Sequence, residues 1–114
     1  MHELSIAHSI LSIAGNAVPA NSNTVVSAVG LQIGELSGIE IESLKFAFSV
    51  IKSNTLLQNA ELKIQIIKGE ASCNECKTVF PVSSFGICCP QCNSSSMKIM
   101  KGREMRVINI VVDE

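Results

Sequence analysis

ASCNECKTVFPVSSFGICCPQCNSSSMKIMK, residues 71–101, holds every cysteine of the chain, and its reading decides the architecture. Cys73-Asn74-Glu75-Cys76 and Cys89-Pro90-Gln91-Cys92 form a C-x2-C-x12-C-x2-C pattern. Each C-x-x-C bends back so that two thiolates face one point, and two such turns supply a tetrahedral four-sulfur set suited to zinc. With all four positions filled by thiolate there is no room for a water or substrate, so a structural site is predicted. A redox C-x-x-C normally stands singly beside a βαβ pattern, which this chain lacks. Spacing alone leaves iron–sulfur ligation open. Cys88 can stand in for Cys89 only by giving up the C-P-x-C form, which makes it a bystander thiol. The window has Ser/Asn-rich turns and little core-forming sequence, so bound metal is expected to supply most of its folding free energy.

Outward from this window the pattern becomes that of an α+β body. Leu4, Ala7, Leu11 and Ala14, with Ile6, Ile10 and Ile13 beside them, recur at helical spacing and predict a first helix ending near Gly15-Asn16. From Thr24 to Ile33 the period becomes two, with Val25, Ser27, Val29, Leu31 and Ile33 on one face of a strand. Ser37-Gly38-Ile39-Glu40 has the form of a capping box opening a second helix, whose apolar face carries Ile41, Leu44, Ala47, Phe48 and Ile51. Leu62, Ile64 and Ile66 alternate in a second strand. A last strand around Glu104 to Val112 has apolar residues at both parities, which predicts burial on both faces or an edge covered by a helix. The expected division is a body of residues 1–70 and 102–114, two helices on a short β-sheet, with residues 71–101 inserted as a four-cysteine zinc ribbon. Gly69 and Gly102 flank the insert as hinges or, more simply, as turn residues.

Composition removes several functions. The 114 residues include 9 Lys and Arg against 10 Asp and Glu, a net charge of -1. A nucleic-acid binder needs a cationic surplus to neutralise phosphates, and no basic stripe is present. Four Phe with no Trp or Tyr make stacking platforms for single strands equally unsuitable. A zinc-ribbon nucleic-acid or adaptor module therefore stands only as the alternative reading. With both histidines near one terminus and a closed thiolate set elsewhere, no three-ligand open site for a zinc hydrolase can be assembled, so no enzyme is expected. No apolar run reaches the roughly 20 residues that span a bilayer. Met1-His2-Glu3 lacks the positive charge of a secretory signal, and His8, Ser9, Ser12 and Asn16 interrupt the apolar residues behind it. A cytoplasmic protein away from membranes is predicted, in which the cysteines are free thiols or metal ligands.

Met1-His2-Glu3 gains chemical meaning at the start of a chain. A terminal amine, the amide nitrogen of residue 2 and the His2 imidazole can form adjoining chelate rings. A fourth donor completes the square plane that suits Ni(II) or Cu(II). Glu3 could supply that donor through its carboxylate or its backbone nitrogen. His8 lies inside the predicted helix and is read as a surface or partly buried residue.

The triplet and the cysteine pairs together resemble the HypA/HybF family, nickel metallochaperones of hydrogenase maturation. The similarity continues through Ile33-Gly34-Glu35-Leu36-Ser37-Gly38, Phe46-Ala47-Phe48 and Gly102-Arg103-Glu104-Met105-Arg106-Val107. The resemblance implies an α+β nickel-binding domain with an inserted zinc domain. Ni2+ is then cargo at Met1, His2 and Glu3, and structural Zn2+ sits at Cys73, Cys76, Cys89 and Cys92. It implies delivery toward a [NiFe]-hydrogenase large-subunit precursor with a HypB-type GTPase and service to urease in some members; a homodimer is left open, because the sequence does not reveal oligomeric state. The chain departs from commoner versions at His8 and Cys88 and has no histidine in its zinc module, which weakens any imidazole link between the two metals. Glu40 is a conceivable oxygen donor beside the nickel, although a capping role accounts for it without metal.

Overall fold

A computed structural model describes residues 3–18 and 24–113. Helix α1 (Glu3–Ala17) is followed by β1 (Val25–Gly34), α2 (Ile41–Ile51), β2 (Glu61–Ile67), β3 (Glu70–Cys73), β4 (Val79–Pro81), β5 (Met97–Lys101) and β6 (Met105–Asp113). The strands form two three-stranded sheets, ordered β2-β1-β6 and β4-β3-β5. The architecture is α+β. By its contacts the chain divides into two compact units. One comprises Met1–Leu31, Ile39–Gln65 and Arg106–Glu114; the other comprises Gln32–Gly38 and Ile66–Met105.

In the first unit α1 and α2 pack against each other. Helix α1 buries Ala7, Ile10 and Ala14, spaced by three and four residues. Leu4 and Ile13 are about half exposed, so the buried stripe is narrower than the apolar periodicity suggests. Two alanines on the stripe let a neighbour approach closely, leaving Ile10 to fill the contact. Helix α2 buries Leu44 and Phe48, as its pattern predicts. Its start differs from the expected capping box: Glu40 is itself the N-cap residue, and its side chain makes no cap hydrogen bond. Gly38 adopts φ 77°, turning the chain ahead of the helix and breaking the helical spacing the box needs.

The strands depart from simple alternation as well. In β1 the buried residues switch parity, with Val26 buried, Val25 exposed, and Val29, Gly30, Leu31, Ile33 and Gly34 buried beyond them. A central strand with neighbours on both sides and apolar residues at both parities reads as a near-continuous hydrophobic run. Strand β6 is a correction to the sequence reading. It is an edge strand, as one alternative has it, but Ile108, Val111 and Val112 are exposed, so it is neither buried on two faces nor covered at these residues. The Ser27 hydroxyl donates to the Val111 carbonyl at 3.3 Å beside it.

The second unit has more core than its turn-rich sequence suggests. Leu36, Ala71, Cys73, Phe80, Val82 and Cys89 are buried together, with Ile87, Met97 and Ile99 packed against them. Strand β3 pairs antiparallel with β4 (Ala71 opposite Phe80) and with β5 (Cys73 opposite Met97), with an irregularity between Glu70 and Ala71. Sequence-distant segments are laced together here by backbone bonds. The N–H of Gly34 donates to the Glu104 carbonyl (2.7 Å), that of Leu36 to Gly102 (2.6 Å), and that of Val82 to Gly69 (3.0 Å). Two carboxylates complete the lacing: Glu35 accepts from the Gly69 N–H (2.7 Å) and Glu104 from the Gly102 N–H (2.8 Å). The approach is too close for side chains. A Cβ on Gly102 would lie 2.6 Å from the Gly69 Cα, and Gly102 also has φ 117°.

Gly102→Ala should therefore lower stability by at least about 2 kcal/mol, combining backbone strain with a clash against main chain. Chemical denaturation with zinc present checks this. An unchanged midpoint would show that the crossing yields easily.

Candidate metal centre

The four predicted zinc ligands are brought together by two similar turns. In the first, the Lys77 N–H donates to the Cys73 carbonyl (3.1 Å) and the Cys73 N–H to the Thr78 carbonyl (2.9 Å). In the second, the Asn93 N–H donates to Cys89 (2.8 Å) and the Cys89 N–H to Ser94 (2.8 Å). Lys77 and Asn93 take the matching left-handed conformations, φ 65° and 64°. Backbone N–H groups also point at sulfur: Cys76 toward the Cys73 Sγ at 3.5 Å and Gln91 toward the Cys89 Sγ at 3.4 Å. The Asn74 amide donates to the Ser96 hydroxyl at 3.0 Å, fastening the first turn to the segment leading into β5.

The sulfurs of Cys73, Cys76, Cys89 and Cys92 all lie within 4.8 Å of one another. Cys73 and Cys92 are 3.5 Å apart, and Cys76 and Cys89 are 3.6 Å apart. A tetrahedral ion with Zn–S bonds of about 2.3 Å holds its sulfurs about 3.8 Å apart, so the cage has the dimensions zinc requires. Cys73 and Cys89 are buried while Cys76 and Cys92 are exposed, so the cage is anchored on the unit's core and open at its rim. Cys88 is exposed and stands outside the four-sulfur group.

Without an ion such crowding divides the thiols. The backbone N–H of Cys76 lowers the pKa of Cys73, against a smaller opposing effect of burial. The Thr78 hydroxyl, 3.1 Å from Cys76 Sγ, is the main cause that lowers Cys76 to about 6. Cys92 feels a lowering hydrogen bond at Ser94, but the Cys73 sulfur and desolvation outweigh it and push its pKa up to about 12. One thiolate forms readily and another resists. A divalent cation removes the conflict by stabilising all four thiolates, with protons released as it binds.

Of the residues expected to hold nickel, Met1 and His2 lie outside the described residues. Glu3 opens α1, and its Oε2 accepts a hydrogen bond from the Glu40 backbone N–H at 3.1 Å. A carboxylate thus sits at the positive end of α2, where the first backbone donors have no partner inside the helix. The Glu40 side chain is exposed, and His8 lies on the exposed side of α1. The capping bond from Glu3 escapes a sequence reading because it joins residues 37 positions apart.

Comparison with known proteins gives this arrangement its context. Residues 1–112 match the family described as "Hydrogenase/urease nickel incorporation, metallochaperone, hypA". The chain belongs to the HypA family. A HypA-family relative from Parabacteroides distasonis, a hydrogenase maturation factor, is 40% identical across 98% of this chain and 97% of its own length. Its counterpart from Legionella pneumophila (strain Corby) is 36% identical across 99% and 100%. The chain's fold is similar to the solution structure of the Ni metallochaperone HypA from Helicobacter pylori, with a TM-score of 0.66, 28% identity and 96% coverage of each chain. A four-cysteine centre suited to structural zinc accords with HypA membership.

Replacing Cys76 with Ser, or stripping the metal with a chelator, should abolish zinc uptake and the amide protection of β3, β4 and β5 while the α1 and α2 signals persist. Metal analysis and hydrogen exchange followed by NMR read both effects. Because the bound thiolates must shed protons, zinc affinity should fall as pH falls. Competition titrations from about pH 8 to about pH 5 check the sign; a flat profile is incompatible with thiolate ligation.

Proposed function

We propose that this chain is a nickel metallochaperone acting in [NiFe]-hydrogenase maturation, carrying Ni2+ as cargo and Zn2+ as a structural ion. The family match across residues 1–112 is the observation that carries this reading. The chemistry of the four-sulfur cage supports it, because a filled set of four thiolates has no open position for cargo. Nickel needs other donors, and the two imidazoles of the sequence, His2 and His8, both lie near its start.

In this reading the nickel donors are the α-amino group of Met1, the amide nitrogen and imidazole of His2, and Glu3. Glu3 supplies its donor through its carboxylate, one oxygen of which accepts from the Glu40 N–H, or through its backbone nitrogen. Glu40, whose side chain has no capping bond, is a nearby oxygen donor. The zinc ligands are Cys73, Cys76, Cys89 and Cys92. The inserted zinc domain comprises residues 71–101 and the nickel-binding body comprises 1–70 and 102–114. All the zinc ligands fall inside the first range, although Leu36 joins its core.

A carrier needs accessible, exchangeable ligation and no chemical turnover, so the chain acts without enzymatic activity. It passes nickel to a HypB-type GTPase and a hydrogenase large-subunit precursor and works in the cytoplasm. Among the described residues no helix is long and apolar enough to cross a membrane. Hydrogenase is preferred to urease as the client, and a carrier to a nucleic-acid or adaptor module, because the compared relatives are hydrogenase maturation factors.

A preparation starting at Met1 should bind one Ni2+ by calorimetry, with nitrogen-rich coordination in X-ray absorption. His2→Ala should remove that binding and leave zinc in place, and lower pH should weaken it as protons compete for imidazole and amine. Equal nickel affinity in wild type and His2→Ala would end the proposal.

A further inference from the structure

The second unit carries an apolar cleft of about 260 Å³ that the metal chemistry leaves unused. Val82, Ile87, Met97 and Ile99 line its floor, while Phe85 and Arg103 stand among its lining residues. The floor side chains belong to, or pack on, the core that also contains Cys73 and Cys89. The cleft is therefore built on the zinc core. Its volume falls below the roughly 300–1,000 Å³ usual for small-molecule sites, which suits one inserted side chain better than a metabolite.

Two observations at the mouth specify the occupant. Phe85 is 64% exposed, a large ring left in solvent on a turn where Gly86 adopts φ 87°. The Arg103 guanidinium lies 5.4 Å from the centroid of that ring. Among the described residues Arg103 has no ion pair. A guanidinium stacked on a ring keeps its planar donors oriented and matches a carboxylate with two parallel hydrogen bonds.

We propose that this cleft binds an acidic segment of a partner protein, with one large apolar side chain on the Val82–Met97 floor and a neighbouring carboxylate on Arg103. The site lies within the zinc-bearing unit and does not depend on the nickel reading. Its failure and the failure of nickel binding are separate results.

The test titrates the zinc-loaded full chain with acetyl-Glu-Phe-Glu-amide, following the methyl signals of Val82, Ile87, Met97 and Ile99 and the Arg103 side-chain N–H by NMR. Saturable shifts confined to these groups are expected. Acetyl-Gln-Phe-Gln-amide and acetyl-Glu-Ala-Glu-amide should each bind about tenfold more weakly, the share of one charge-assisted or one apolar contact. Arg103→Gln should erase the preference for the acidic peptide, and Arg103→Lys should restore part of it. Zinc content and the remaining amide spectrum, unchanged in both variants, establish that they fold. No saturable shift, equal binding of the neutral peptide, or a preference that survives Arg103→Gln would each overturn the proposal.

Discussion

Four sulfur atoms held within 4.8 Å cannot all carry negative charge without a cation among them, and the second unit is organised around that constraint. The opposite displacements of Cys76 and Cys92 express it: one thiol is drawn toward ionisation by Thr78 while the other is held protonated by its neighbours. Leu36, Phe80 and Val82 are the large apolar side chains buried beside the cage. Each contributes roughly 1.5–3 kcal/mol, whereas a structural zinc site supplies on the order of 10–16 kcal/mol. A bound zinc ion is accordingly a stabilising element at least comparable with these side chains taken together. The paired turns, with Lys77 and Asn93 in the same unusual backbone conformation, present its ligands in advance.

The cage bears on stability, while the proposed cargo site lies at the start of the chain. A saturated sulfur set is suited to retention. A carrier requires the reverse: few ligands, open to exchange. Glu3 joins the two helices of the first unit by placing its carboxylate on the Glu40 N–H, so the residue following the proposed nickel anchor is fixed to the beginning of α2.

Much of this was readable from the residues because it depends on local spacing. Two C-x-x-C turns need only their own backbone to aim their thiolates, so the four zinc candidates converge as the spacing implies. The buried faces of α1 and α2 likewise follow the helical repeat at Ala7, Ile10, Leu44 and Phe48. What sequence could not display was set by distant partners. The Glu40 N–H at the start of α2 is met by Glu3, and the close approach of Gly69 and Gly102 depends on a crossing of separated segments. For β6 the inference from apolar residues at both parities failed. Such residues measure hydrophobicity, whereas burial depends on whether another element arrives to cover them. The Arg103–Phe85 pair was hidden for a related reason, since 18 positions separate its members (103 − 85).

That uncovered outer strand also constrains how the protein must be handled. Ile108, Val111 and Val112 lie on a sheet margin whose charged guards are confined to its ends, at Arg106 and Asp113. Natural margins are usually blunted by lysine, proline or a bulge, because bare amides and carbonyls recruit other strands. Storage at high concentration, or sequence drift toward still more aliphatic character along this rim, therefore favours fibrous self-association by a route that bypasses the four-sulfur centre.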